Sequence, residues 1–273
     1  MRLFDSHCHL DFPVFDADRA AVLARAAAAG VYELVIPGYS PATWSRAAAL
    51  TSATNAGVRV HVAVGLHPYA LAGPALPEGE LTGQLVAAAE CFGAVAIGEC
   101  GLDGPLSKRT AGGVSSAVQE RVLREHVHAA ALTGLPLVLH VVRAHAAALE
   151  LLRPDTTRRE TPGPRGVVHA FSGSVDVARS YVRLGFMLAF GGAITHARHQ
   201  RARAAAAWVP DDALLLESDA PSGRLSGGPP RNEPSALPRV LAVLAELRGQ
   251  SQERVAEMTR DNAARLFRVG PLA

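Results

Sequence analysis

The sequence predicts a single (β/α)8 TIM barrel spanning residues 1–273, and three observations carry that reading. Short apolar runs recur eight times along the chain, and Ala-rich stretches long enough for a crossover helix separate them. The total length of 273 residues suits one barrel, a fold that typically occupies about 250 residues. The runs are continuous Val, Ile, Leu and Ala rather than an alternation of apolar and polar residues, which suits parallel strands covered by helices. An open, doubly wound sheet is the alternative arrangement of such units.

Taken in order, the strands are expected at 3–10, 32–38, 59–67, 94–102, 136–142, 166–172, 186–195 and 214–220. Helices are expected at 18–29, 41–55, 80–91, 115–133, 144–153, 175–184 and 198–209, with two more after the last strand at 234–248 and 252–267. Gly30, Gly57, Gly134 and Gly185 stand just past helix ends, where a left-handed residue closes the last turn. Segments 103–116 and 221–234, rich in Gly, Pro and Ser, read as loops. Both follow strands and would emerge at the C-terminal face, where barrel enzymes place their sites.

Composition narrows the function. Hydrophobic residues make up 49% and charged residues 19%, enough for a sizeable core and against disorder. A formal net charge of +2 gives no general footprint of nucleic-acid binding, so any such role must come from a local site. The three cysteines, Cys8, Cys91 and Cys100, have no CxxC spacing and read as reduced thiols of a cytoplasmic protein. The N-terminus lacks a signal-peptide core, and no apolar run reaches the roughly 18 residues of a membrane span. Neither a membrane nor an obligate protein partner is implied.

The chemistry-bearing residues gather at strand ends. In the first strand, Asp5, His7 and His9 are two apart and share a face, whereas Phe4, Cys8 and Leu10 suit packing against outer helices. Two imidazoles at one strand end can share a metal. Four more ligand-type residues sit late in otherwise apolar strands: Glu99, His140, His169 and Asp219. Burying six such groups at one rim costs several kcal/mol each unless something compensates them, and a pair of divalent cations (Zn, Mn or Mg) would do so. Four histidines and two carboxylates form a suitable ligand set, with Glu99 able to bridge.

The motifs Asp5-Ser6-His7-Cys8-His9, Gly65-Leu66-His67-Pro68, Ile97-Gly98-Glu99-Cys100-Gly101-Leu102-Asp103, His169-Ala170-Phe171-Ser172-Gly173 and Glu217-Ser218-Asp219-Ala220-Pro221 resemble those of the TatD family of metal-dependent deoxyribonucleases. Asn232-Glu233-Pro234 and residues 261–267 resemble its C-terminal signatures, so the likeness spans nearly the whole chain. Residues 167–174 and 191–195 are most similar to the YjjV-like subgroup. The resemblance implies a barrel of the metal-dependent hydrolase superfamily with hydrolytic nuclease activity, DNA as substrate and a lean toward exonucleolytic cleavage. It implies that His7, His9 and Asp219 hold one metal and His140 and His169 the second, with Glu99 bridging. The chain departs from the family pattern at Val141 and Val142, where Ser and Arg are usual, at Gly104, where an aromatic is common, and at Ser218, where Thr is usual. Arg143 could replace part of the lost charge.

The expected reaction is phosphodiester hydrolysis, with two cations activating water and Asp219 orienting that water or taking its proton. The alternatives are an amidohydrolase-like or esterase activity on a small C–N or C–O substrate, and a catalytically silent binding barrel. Glu217, one inward position before Asp219, is expected to hydrogen-bond a ligand or a metal-bound water, with direct ligation as the lesser reading. His67 could contact a phosphate or fix its loop, and Arg143 and Arg224 are further phosphate candidates against a default of surface charge. Asp5 is expected to orient His7 or cap the first loop, and His61 to be a satisfied core histidine. His126, His128, His145, His196 and His199 read as surface residues.

Overall fold

The computed structural model describes residues 1–52, 56–72, 79–109, 113–153 and 165–270. Eight parallel strands follow one another around the sheet in chain order: β1 (Leu3–Asp5), β2 (Val31–Ile36), β3 (Arg59–Val64), β4 (Ala96–Asp103), β5 (Leu137–Val142), β6 (Gly166–Val168), β7 (Phe186–Phe190) and β8 (Leu214–Leu216). Hydrogen bonds just beyond the strand ends close the sheet on itself. Ser6 N–H donates to the Leu216 carbonyl (3.0 Å), Asp219 N–H to the His7 carbonyl (2.9 Å) and His9 N–H to the Ala220 carbonyl (2.7 Å). The closed barrel is therefore the fold, and the seam that closes it runs through His7, His9 and Asp219.

Helices α1 (Arg19–Ala28), α2 (Pro41–Ala49), α3 (Glu80–Phe92), α4 (Gly104–Ser107), α5 (Ser116–Thr133), α6 (His145–Leu151), α7 (Val175–Arg183), α8 (Gln200–Trp208), α9 (Leu237–Arg248) and α10 (Gln252–Phe267) complete the chain. Gly30, Gly57, Gly134 and Gly185 all have positive φ, as expected. Helix α2 stops at Ala49, short of the expected end at residue 55, and residues 53–55 lie outside the described ones. The segment read as a loop after strand four is ordered at its start: Asp103 closes β4 and α4 follows directly, while 110–112 lie outside the described residues.

Most strands end earlier than their apolar runs suggest, because the chain leaves the sheet where the polar cluster begins. β1 stops at Asp5, β6 at Val168 and β8 at Leu216, each just short of a ligand-type residue.

One residue from each strand fills the lower interior: Phe4, Val35, Ala63, Ala96, Val138, Val167, Ala189 and Leu215. Ala263, Leu266 and Phe267 of α10 close it from below, with the Phe4 and Phe267 rings stacked at 6.0 Å. Phe4 thus points inward, not toward the outer helices. The expected alternation fails there because β1 ends at Asp5 and the chain shifts phase by one residue before His7. Cys8 and Leu10 do pack outward, into the larger shell between sheet and helices. That shell and the inner layer bury the apolar side chains whose removal from water, at about 25 cal/mol per Å2, drives the fold.

Candidate metal centre

β4 presents Glu99 through a bulge. Gly98 pairs with Val138 and Cys100 with Leu139, so Glu99 is skipped in the ladder, and a bulge of this kind re-aims a side chain. The backbone there bonds inward instead: Gly38 N–H donates to the Gly98 carbonyl (2.9 Å) and Glu99 N–H to the Gly38 carbonyl (3.0 Å). Gly98, at φ 137°, is required, since a Cβ would lie 2.4 Å from the Val138 carbonyl oxygen.

The Glu99 carboxylate is buried and lies between two groups of imidazoles. Oε2 is 3.2 Å from His7 Nε2 and 3.3 Å from His9 Nε2, and those two nitrogens are 3.3 Å apart. Oε1 is 2.9 Å from His169 Nε2, 3.1 Å from His140 Nδ1 and 3.1 Å from His67 Nε2. His140 Nδ1 and His169 Nε2 are 3.3 Å apart. Asp219 Oδ1 is 3.9 Å from His7 Nε2, and its carboxylate, at 17% exposure, is the most open of the group. The structure thus brings together all six residues expected as ligands, from five separate segments of the chain.

This donor set fits divalent cations. Donors held about 2.0–2.2 Å from one cation lie roughly 3–3.5 Å apart, the spacing seen here. Among the described residues, Glu99 Oε2 is buried and has no hydrogen-bond partner, although two ring nitrogens face it. His7, His9 and Glu99 form one group able to hold an ion; His7, His169 and Asp219 form a second. Burial opposes ionisation of Glu99, but His67, His169 and His7 outweigh it and hold the carboxyl well below its usual range. Burial pushes Asp219 up to about 6, with His169 and His9 opposing.

Residues around the cluster set which ring nitrogen is free. His140 Nε2 lies 3.2 Å from Asp103 Oδ2 and donates there, so in the neutral ring Nδ1 would be the nitrogen left for a cation shared with Glu99. Asp103 is itself held: Leu106 N–H donates to Oδ1 (2.7 Å), and the Tyr69 hydroxyl donates to Oδ2 (3.0 Å). His67 is arranged the opposite way. Its Nδ1 accepts the Tyr69 N–H (3.0 Å), so the neutral ring carries its proton on Nε2 and is a donor facing the cluster. His67 forms a group with Glu99 and His140 that could hold an ion, but this tautomer makes a hydrogen-bond donor the better description. Of the two readings of His67 drawn from sequence, the loop-fixing hydrogen bond is the one seen here, in the Tyr69 N–H contact. Asp103 and Tyr69 were not singled out in the sequence, since the expected strand ended at residue 102 and the loop was expected from 103, whereas β4 runs on to Asp103.

Glu217 is fully buried and accepts the Ala170 N–H at 2.6 Å, with His169 Nδ1 3.7 Å away. Ala170, at φ 44°, and Asp219, at φ 53°, both occupy the left-handed region beside the cluster, a strain held by these bonds. Asp5 ties the closing seam, accepting Ser218 N–H (2.8 Å), Ser218 O–H (2.5 Å) and His7 N–H (3.3 Å). Arg143 and Arg224 are exposed, and Arg224 Nε donates to the Gly228 carbonyl. His61 is satisfied by Glu33 Oε2 at 3.1 Å.

Of the five histidines read as surface residues, His126 is buried and His145, His196 and His199 are half-buried. His126 is fully buried and donates from Nδ1 to the Val122 carbonyl (2.7 Å) while Nε2 accepts the Leu66 N–H (3.0 Å). It lies on the face of α5 that packs on β4, which the Ala-rich helix sequence concealed. His145 is half-buried against the Tyr181 hydroxyl at 3.2 Å.

A closed parallel barrel with a His/Glu/Asp cluster at its C-terminal rim defines a metal-dependent hydrolase. Residues 4–268 match the family described as TatD related DNase. The chain is 38% identical to the uncharacterized metal-dependent hydrolase YjjV of Escherichia coli K12, over 98% of each chain. The crystal structure of that TatD homologue superposes with a TM-score of 0.85, covering 98% of this chain and 99% of the other. The protein named 3'-5' ssDNA/RNA exonuclease TatD from Dickeya dadantii is 34% identical, again over 98% of each chain. The chain belongs to the TatD-related DNase family and is a metal-dependent hydrolase.

Proposed function

We propose that the chain is a nuclease that hydrolyses phosphodiester bonds of single-stranded nucleic acid, DNA foremost, from the 3' end. The observation that carries this reading is Glu99, whose two oxygens face two separate sets of imidazoles 2.9–3.3 Å away, an arrangement suited to a pair of cations. The relative named as an exonuclease supports the substrate and direction. His7, His9 and Asp219 would hold one ion, His140 and His169 the other, and Glu99 both.

Divalent cations at this centre would lower the pKa of a water and neutralise charge on the phosphate oxygens. Asp219, the most open carboxylate, orients the attacking water and accepts its proton. His67, whose Nε2 proton faces Glu99 Oε1 at 3.1 Å, would turn that donor to a phosphate oxygen once cations hold Glu99. Glu217 fixes the loop that carries His169 by accepting the Ala170 N–H.

Metal analysis of the purified protein, coupled to a panel of single-stranded DNA, RNA and small phosphodiesters, tests the proposal. Phosphodiesterase activity that follows metal content is expected. Bound metal without such activity would sink the proposal and favour the amidohydrolase-like alternative.

A further inference from the structure

Beside the metal centre, the loops that follow β1 and β8 line an open apolar groove of about 440 Å3, formed by Phe12, Pro13, Val14, Pro221, Pro230 and Arg231. We infer that this groove is a nucleobase subsite, which takes the base of the nucleotide next to the scissile phosphate; the inference rests on the nuclease reading above.

Position comes first. The groove starts one side chain from the cluster on both walls. The Phe12 ring lies against the His9 ring at 4.5 Å, and Pro221 is two residues from Asp219. A nucleotide whose phosphate reaches the cluster therefore has its base within range of this surface. Val14 is 50% exposed, one of few large apolar side chains among the described residues left that open.

The walls are also held rigid before anything binds. Arg19 Nε donates to the Leu10 carbonyl (2.9 Å) and Arg46 Nε to the Asp11 carbonyl (2.7 Å), fixing the first loop from behind. Arg231 joins the two loops: its guanidinium donates to the Val14 carbonyl (3.0 Å), to Asp18 (2.7 and 2.8 Å) and to Glu233 (2.7 Å). Asn232 N–H donates to the Pro221 carbonyl at 3.0 Å, and its side chain donates to the Ser218 carbonyl at 2.8 Å. Little ordering cost remains for a ligand to meet.

The lining decides the ligand's chemistry. Arg231, the cation in the wall, is already matched by Asp18 and Glu233, so a phosphate gains little there. What remains is apolar: a phenylalanine, three prolines and a valine. Such a surface takes the face of a heterocycle, and because every base has one, it binds with little sequence preference.

The test uses the magnesium-loaded protein and a short single-stranded DNA whose last linkage is a phosphorothioate that resists cleavage. One version ends in 2-aminopurine at the 3' position, the other in an abasic residue carrying a fluorophore at its 5' end. The wild type is expected to bind the base-containing end about tenfold more tightly than the abasic one, the scale of one stacked base, and to change the 2-aminopurine fluorescence. Val14→Asp and, from the opposite wall, Pro230→Asp should reduce that preference below about twofold with an unchanged melting temperature. Equal binding of both ends by the wild type, or variants that keep the full preference, overturns the groove, and so does failure to bind either. A preference for the base-containing end in a protein that fails to cut the all-phosphate oligonucleotide upholds the groove and overturns the nuclease reading alone.

Discussion

Asp103 Oδ2 accepts a hydrogen bond from His140 Nε2 at 3.2 Å, and this contact sets the direction in which the imidazole offers its other nitrogen. Outer carboxylates of this kind typically contribute 10–100-fold to metal affinity or activity. Asp103→Asn is a sharp probe. The amide oxygen can go on accepting the Leu106 N–H, while an NH2 group replaces the acceptor that faces His140. The variant should keep its melting temperature in chelator yet bind metal about 10–100-fold more weakly in a chelator competition. Unchanged metal affinity would show that Asp103 merely caps α4.

His67 and His140 both face Glu99 Oε1 at 3.1 Å, yet their opposite tautomers predict opposite phenotypes. His140→Asn should lower metal content. His67→Asn should leave metal content intact and raise KM or lower kcat, because it removes a donor to substrate. Metal analysis beside steady-state kinetics separates the two, and loss of metal from the His67 variant would make it a ligand.

The eight strands and their order were legible because each is a short apolar run between helix-length segments. Four of the histidines in the cluster were legible as candidates for a related reason, since an imidazole late in such a run needs partners for its ring nitrogens. The inward direction of Phe4 was not, because alternation holds only within a regular strand and β1 ends at Asp5. The role of Asp103 was hidden by Gly104-Pro105, which reads as the start of a loop although the carboxylate still belongs to the strand. His126 was obscured for a third reason: its partners, the Val122 carbonyl and the Leu66 N–H, are backbone groups, and one is 60 residues away.

Gly98→Ala should be among the most damaging substitutions outside the cluster. The residue is at φ 137°, and a Cβ would meet the Val138 carbonyl oxygen at 2.4 Å, a backbone atom that cannot swing aside. Relief requires β4 and β5 to separate where the bulge aims Glu99. A loss of several kcal/mol is expected in denaturant unfolding, roughly 2 or more, together with weaker metal binding. A variant as stable as the wild type would mean that the bulge relaxes freely.

His126 makes stability depend on pH. Burial lowers its pKa to about 4, with the bond to the Val122 carbonyl opposing, whereas in the unfolded chain the ring titrates near its ordinary value. Above about pH 7.5 the ring is neutral in both states and the full stability is present. As pH falls toward 4 the unfolded chain takes up a proton that the folded one refuses, so stability is progressively lost. One pKa unit corresponds to about 1.4 kcal/mol, so this single ring should remove about 2 kcal/mol between about pH 7.5 and about pH 5. His126→Gln keeps an acceptor for the Leu66 N–H but does not titrate. The difference in unfolding free energy between wild type and variant, measured in urea in the presence of chelator, should therefore change by that amount between about pH 7.5 and about pH 5. The histidines of the cluster titrate in both proteins and cancel. A difference that stays constant across the range would place a polar, hydrated environment around His126, contrary to its burial.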